Sequence, residues 1–267
     1  MILLGFAVLM LRFSGLPVEP AVARVAEVQA RLPWFWSPPL EGFYEIPYLF
    51  ESLNDYRVSD AHGKDRRPPM TLLLERVPVL GGIYNRCVKQ NGASPCSSEM
   101  LKVYAQSNEK RAFTSEQSAS VREHRRDFWS EFPSAFHFES TPQGRIRFRP
   151  IGTYRPRAGS QTELLAAIKG EIEFDPATFE ITLLRYEVLK DTAIPGRNFV
   201  KGSTYSLTMT KSADGHYLPD KLVFVTPHGK DRIIEQDQYS GYRRFAVDSD
   251  IQFGDPPGPS GLPLKPI

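Results

Sequence analysis

Apolar and polar residues alternate through most of the second half of the chain. Phe136 and Phe138 alternate with His137 and Glu139, and Ile146 and Phe148 with Arg145, Arg147 and Arg149. Ile172 and Phe174 alternate with Glu171 and Glu173, and Tyr205, Leu207 and Met209 with Ser206, Thr208 and Thr210. A period of two sends successive side chains to opposite faces, so each segment predicts a strand with one dry and one wet face. Residues 179–189, 222–225 and 233–245 predict further strands. Asp175-Pro176 and Asp214-Gly215 are short turn sequences, which make the strands they join antiparallel. In the first half, residues 44–58, 70–79 and 82–90 predict strands. A charged loop at 59–69 and the Gly81-Gly82 turn separate them.

Two regions carry a helical spacing instead. Val22, Val25, Ala26, Gln29 and Leu32 fall on one face of a helix over 19–32, with Pro20 suited to its first turn. Residues 97–129 are rich in Glu, Lys, Arg, Gln and Ser. Ser97-Ser98-Glu99 offers an N-cap, and Met100, Leu101, Val103, Tyr104 and Ala112 form a partial apolar stripe. Thr114 can begin a second helix, and strands are expected again after Phe132-Pro133. Residues 162–169 predict a short helix. Arg122, His124, Arg125 and Arg126 cluster on the second helix, but Glu116, Glu123 and Asp127 dilute them, which favours a solvated face over a lipid contact. Trp34-Phe35-Trp36 beside Pro38-Pro39 reads as rings capping a core, with an exposed membrane or partner contact as the alternative. Pro and Gly fill more than half of residues 254–267, which predicts a tail that packs no core.

Composition narrows the class. The chain has 267 residues, enough to bury a core without staples, and 41% hydrophobic against 24% charged residues argues against global disorder. The basic and acidic totals are 33 and 31, so no nucleic-acid partner is expected. Aromatics at 12% favour sheet. The apolar run MILLGFAVLML at 1–11 is too short to span a bilayer but suits a signal peptide, with Ala21-Val22-Ala23 as a small-residue cleavage site. It predicts export to the periplasm or outer envelope; the alternative is a buried N-terminal helix. The expected organisation is an apolar segment at 1–23, a single β-rich domain at 24–253 with a helical insertion at about 97–130, and the tail. A monomer is expected.

The two cysteines, Cys87 and Cys96, flank Asn91-Gly92, a strong signal for a type I′ hairpin turn. Counting outward from that turn sets Cys87 opposite Cys96 in a non-hydrogen-bonded pair, with Cα atoms about 4.5 Å apart, near the short end of disulfide range. Such a bond would persist in an oxidising compartment. The alternative is two free thiols, with Pro95 interrupting the ladder.

No motif of catalysis stands out. The chain has no GxSxG, no GxxxxGK[ST], no HExxH and no CxxC, and none of His62, His124, His137, His216 and His228 lies at metal-ligand spacing from another. Glu171 and Glu173 share a strand face, where alternation with Ile172 and Phe174 favours a solvated outer surface. Neither cofactor nor metal is expected, and the reading is of a protein that is not an enzyme.

Residues 132–253 resemble the LolA/LolB-like superfamily of periplasmic lipoprotein carriers, and more closely a group of exported bacterial proteins related to it. Gly170-Glu171-Ile172-Glu173-Phe174-Asp175-Pro176 followed by Phe179-Glu180-Ile181 is similar to the family's strand, turn and returning strand. Lys201-Gly202-Ser203-Thr204-Tyr205, His216-Tyr217-Leu218-Pro219 and Tyr239-Ser240-Gly241-Tyr242-Arg243-Arg244-Phe245 are similar to further family segments, as is Phe132-Pro133-Ser134-Ala135-Phe136. The resemblance implies an α+β fold, a strongly curved antiparallel sheet (a half-barrel) with helices on its concave side. It also implies an apolar cavity for lipid or lipoprotein acyl chains, bound by shape and hydrophobicity. Phe136, Phe138, Ile146, Phe148, Ile172, Phe174, Tyr205, Leu207 and Met209 are the candidate lining; the same face could instead be closed core. An envelope sensor or scaffold that binds another protein is the alternative function.

Overall fold

The computed structural model describes residues 18–32, 48–79, 82–110, 115–142, 144–194 and 197–244. The apolar run at 1–11, the Trp34–Trp36 cluster, Gly81, Thr114 and the tail at 254–267 lie outside these residues, as do the side chains of Arg122, His124 and Arg125.

The described residues form three helices and twelve strands: α1 (Val18–Arg31), β1 (Tyr48–Asp60), β2 (Met70–Val79), β3 (Gly82–Gln90), α2 (Ser98–Lys110), α3 (Ser115–Ala135), β4 (Phe136–Ser140), β5 (Ile146–Pro150), β6 (Ile168–Phe174), β7 (Ile181–Val188), β8 (Thr192–Ile194), β9 (Arg197–Phe199), β10 (Thr204–Lys211), β11 (Tyr217–His228) and β12 (Asp231–Arg244). Strands β8 and β9 pair only with each other. The other ten make one antiparallel sheet in the order β3-β2-β1-β12-β11-β10-β7-β6-β5-β4, with β3 and β4 as its outer strands, so the sheet is not closed. The fold is α+β.

Strand register sorts the two faces. Ile146, Ile172, Leu184, Leu207 and Leu222 stand side by side across five strands, and Phe148, Gly170, Tyr186, Tyr205 and Phe224 form the next such row. Between them, pointing the other way, run Arg147, Glu171, Arg185, Ser206 and Val223. The apolar rows are buried with Val22, Val25 and Ala26 of α1 and Phe128, Trp129 and Phe132 of α3 in one cluster, so both helices cover the same face of the sheet. Helix α2 covers the other end of the sheet, where Leu72, Leu74, Cys87 and Cys96 pack with Met70, Met100 and Tyr104. Its start is capped by Ser97, whose Oγ accepts a hydrogen bond from the Met100 amide at 3.3 Å.

Four local expectations are corrected. Helix α3 runs through Phe132-Pro133 to Ala135 before β4 begins, with Pro133 inside its last turn. Proline removes a backbone donor there, but Phe128, Trp129 and Phe132 pack on the sheet and hold the turn. Residues 162–169 do not form a helix. A single 3-10 turn spans Gln161–Leu164, with Ser160 Oγ accepting from the Thr162 amide, and β6 starts at Ile168. Phe179 belongs to the β6–β7 turn with a positive φ of 60°. The Cys87–Cys96 disulfide forms, but not as a ladder pair: the Cα atoms are 6.0 Å apart. Asn91 and Gly92 have the positive φ of the expected turn and Gln90 pairs with Ala93, after which the described residues carry no further rung of that hairpin. Pro95 has no amide hydrogen to continue it. Ala21 and Val22, inside the suggested cleavage site, lie in α1 and are buried, so a cut after Ala23 would remove packed residues.

Candidate functional site

All nine side chains expected to line a cavity come together on the helix-covered face. Phe136, Ile146, Phe148, Ile172, Tyr205 and Leu207 are buried within the main apolar cluster, none more than 6% exposed. Phe138, Phe174 and Met209 are only half-buried and pack against its margin. Phe138 sits on outer strand β4. Phe174 and Met209 lie one step beyond the Ile146–Leu222 row, at the end of the sheet formed by the β6–β7 and β10–β11 turns.

That end carries further aromatic residues that the candidate lining did not include. Phe179 stacks on Phe174 with ring centres 5.8 Å apart, and Tyr242 stacks on Phe50 at 5.3 Å. Tyr242 also donates its hydroxyl proton to the Pro219 carbonyl at 2.6 Å, and burial pushes its acidity well below that of a free phenol. A polar collar surrounds this apolar margin. Tyr217 donates to Asp175 at 2.8 Å, and Lys211 approaches the same carboxylate at 3.3 Å. Hydrogen bonds from the Ala177 amide, Tyr217 and Lys211 hold the Asp175 pKa below its ordinary value. Tyr48 donates to Asp214, which also accepts from Ser212 at 2.5 Å. Burial first, and then the Asp214 carboxylate, push the Tyr48 phenol up to about 12.

Two buried amides stand out against the apolar interior. The side chain of Gln29 on α1 and that of Gln161 in the 3-10 turn are both at most 2% exposed, and neither atom of either amide has a hydrogen-bond partner among the described residues. Burying a polar group unsatisfied costs about 1–3 kcal/mol.

The opposite face of the sheet is charged. It carries an open groove of about 800 Å³, walled by Arg147, Arg149, Lys169, Arg185, Glu171 and Glu187. Glu171 pairs with Arg145 and Arg147, Glu173 with Arg145, and Glu187 with Lys169. The glutamates of the alternating strand thus belong to a solvated ion-pair ladder. Among the described residues no three His, Cys, Asp or Glu side chains gather as a metal site, and no helix is long and apolar enough to cross a membrane.

The chain is similar in arrangement to a LolA superfamily protein of Nitrosomonas europaea, at 8% identity over 87% of this chain and 96% of that one, with a TM-score of 0.32. A domain described as an outer membrane lipoprotein-sorting protein, from Vibrio parahaemolyticus, is similar at 10% identity over 87% and 95% of the two chains, with a TM-score of 0.36. A DUF1329 family protein of Desulfovibrio piger is similar at 10% identity over 88% and 95%, with a TM-score of 0.31. No family model matches the chain, and no curated protein matches it.

The helical part of the apolar interior escaped the sequence reading. Phe128 and Phe132 stand four residues apart, the spacing of one helix face. That signal was present, but the charged residues before it masked the stripe.

Proposed function

We propose that this protein binds acyl chains of lipids or lipoproteins in the cell envelope, between its sheet and helices α1 and α3, without catalysing a reaction. The observation that carries the reading is the half-buried margin of Phe138, Phe174, Phe179, Met209 and Tyr242, continuous with a deep interior of aromatic and aliphatic side chains. An acyl chain entering there would exchange water for apolar contacts at about 25 cal/mol per Å² buried. The lining side chains are buried in one cluster with α1 and α3, so an entering chain would displace those helices from the sheet. The unsatisfied amides of Gln29 and Gln161 weaken that closed state and favour such a shift. The disulfide supports an oxidising compartment outside the cytoplasm.

A second reading, an envelope sensor or scaffold that binds another protein, is favoured by the open charged groove on the far face. Native mass spectrometry of protein purified from the envelope fraction, followed by lipid extraction, separates the two. The acyl-binding reading expects a stoichiometric lipid, and Met209→Asp should cut its occupancy about tenfold or more, because a charge would enter the apolar margin. Protein that carries no lipid and binds no fluorescent fatty acid would sink this reading in favour of the second.

A further inference from the structure

The helix-covered face is not apolar throughout. Between the main cluster and the smaller one under α2 lies a polar seam on β1, β2, β3 and β12. At its centre is Arg76, which stands opposite Phe50 on β1 and Asn85 on β3. Its Nε donates to Ser52 Oγ at 2.8 Å, and its Nη1 donates to Asn85 Oδ1 at 2.6 Å. Both acceptors are buried, Ser52 at 0% and Asn85 at 1% exposure.

Each acceptor is itself fixed. Asn108 of α2 brackets Asn85, accepting from its amide and donating to its carbonyl, both at 2.9 Å. Ser52 donates to Asn54 at 3.0 Å, and Asn54 donates to Asp237. Asp237 is also engaged by the Tyr239 hydroxyl at 3.0 Å. Arg76 is thus half-buried and rigidly oriented by neutral groups, and it takes part in no ion pair among the described residues. Its Nη2 makes no hydrogen bond to a described residue.

A guanidinium withdrawn from water is costly unless an anion meets it, and its planar fork matches a carboxylate with two parallel donors. Beside it lies an aromatic bed: Phe50 stacks on Tyr242 and meets Tyr239 edge-on at 6.1 Å. Among the described residues of this seam Arg76 is the one cation, and Asp237 is linked to it through Ser52 and Asn54, so a singly charged headgroup fits better than a phosphate dianion. Resting on the acyl-binding reading, we propose that Arg76 anchors the carboxylate of an acyl ligand whose tail runs past half-buried Tyr242 and displaces the groups that now cover Phe50 and Tyr239.

The test uses the full chain and two probes of equal shape, decanoate and neutral decanamide, each displacing an uncharged fluorescent dye. The wild type should prefer decanoate by about tenfold or more. Arg76→Gln should lose that preference while keeping decanamide affinity within about twofold. Arg76→Lys, which keeps the charge and changes the fold least, should fall to about threefold or less because the fork is gone. A wild type that binds both probes equally, or an Arg76→Lys protein with undiminished preference, overturns the anchor and leaves acyl binding standing. A wild type that binds neither probe overturns both.

Discussion

At Gly170, strand β6 runs so close to its neighbours that a Cβ would lie 1.9 Å from the Arg185 carbonyl oxygen and 2.7 Å from Cζ of Phe148. The glycine lets the Phe148 ring lie over the backbone and keeps the row from Phe148 to Phe224 continuous. Gly170→Ala should therefore lower unfolding stability by about 3 kcal/mol, the upper range for an overpacked core, read as a shift in urea midpoint at unchanged slope. A midpoint that does not move would mean that β6 and β7 part without cost. The sequence marks Gly170 as part of a recurring strand segment. It does not reveal why glycine is needed, because the obstructing atom belongs to another strand.

The segment from Cys87 to Cys96 shows how far local rules reach at the scale of an element. Asn91-Gly92 names its own turn because few residues accept positive φ at two successive positions, and the turn forms as expected. The pairing beyond the turn is not local, since Pro95 ends the ladder and the chain swings toward α2. The disulfide survives that change because 6.0 Å between Cα atoms is still a bridging distance. It ties β3 to the segment entering α2 and fills part of the core beneath that helix. A cross-link across nine residues confers about 2.5 kcal/mol by restricting the unfolded chain. The double variant Cys87→Ser, Cys96→Ser should lose about that much in chemical denaturation. Loss confined to the amides of β2, β3 and α2 in hydrogen exchange would locate the effect. Helix α3 teaches the complementary point: Pro133 reads as a stop, yet three aromatic rings docked on the sheet carry the helix two residues past it.

For the whole molecule the decisive contact is the pairing of β1 with β12, from Tyr48–Arg244 to Asp60–Asp231, which joins the two halves of the chain into one sheet. Tyrosines guard that seam. Tyr48 is pushed up to about 12, and burial raises Tyr239 and Tyr242 well above the ordinary phenol value of about 10. A raised folded pKa means that the folded chain keeps its phenol protons where the unfolded chain has lost them. The resulting stabilisation is complete below about pH 10 and is lost as pH rises from there through the folded values, a loss that for Tyr48 is complete near 12. Urea midpoints should be level at pH 8 to 9 and fall between about 10 and 12, together with tyrosinate absorbance. Tyr48→Phe should flatten part of that fall; an unchanged slope would remove Tyr48 from the account.

The sequence by itself determined which residues alternate, which turns close neighbouring strands, where α1 and α2 begin and which face of each strand is apolar. These depend on side-chain chemistry and dihedral preference within a few residues. Tertiary structure alone decided that β12 lies beside β1, that α1 and α3 share one face with Phe148 and Ile172, and that Arg76 meets Ser52 and Asn85. Each of these contacts joins residues distant in the chain or on separate strands. Their free energy comes from burying two surfaces against each other, which neither surface specifies alone.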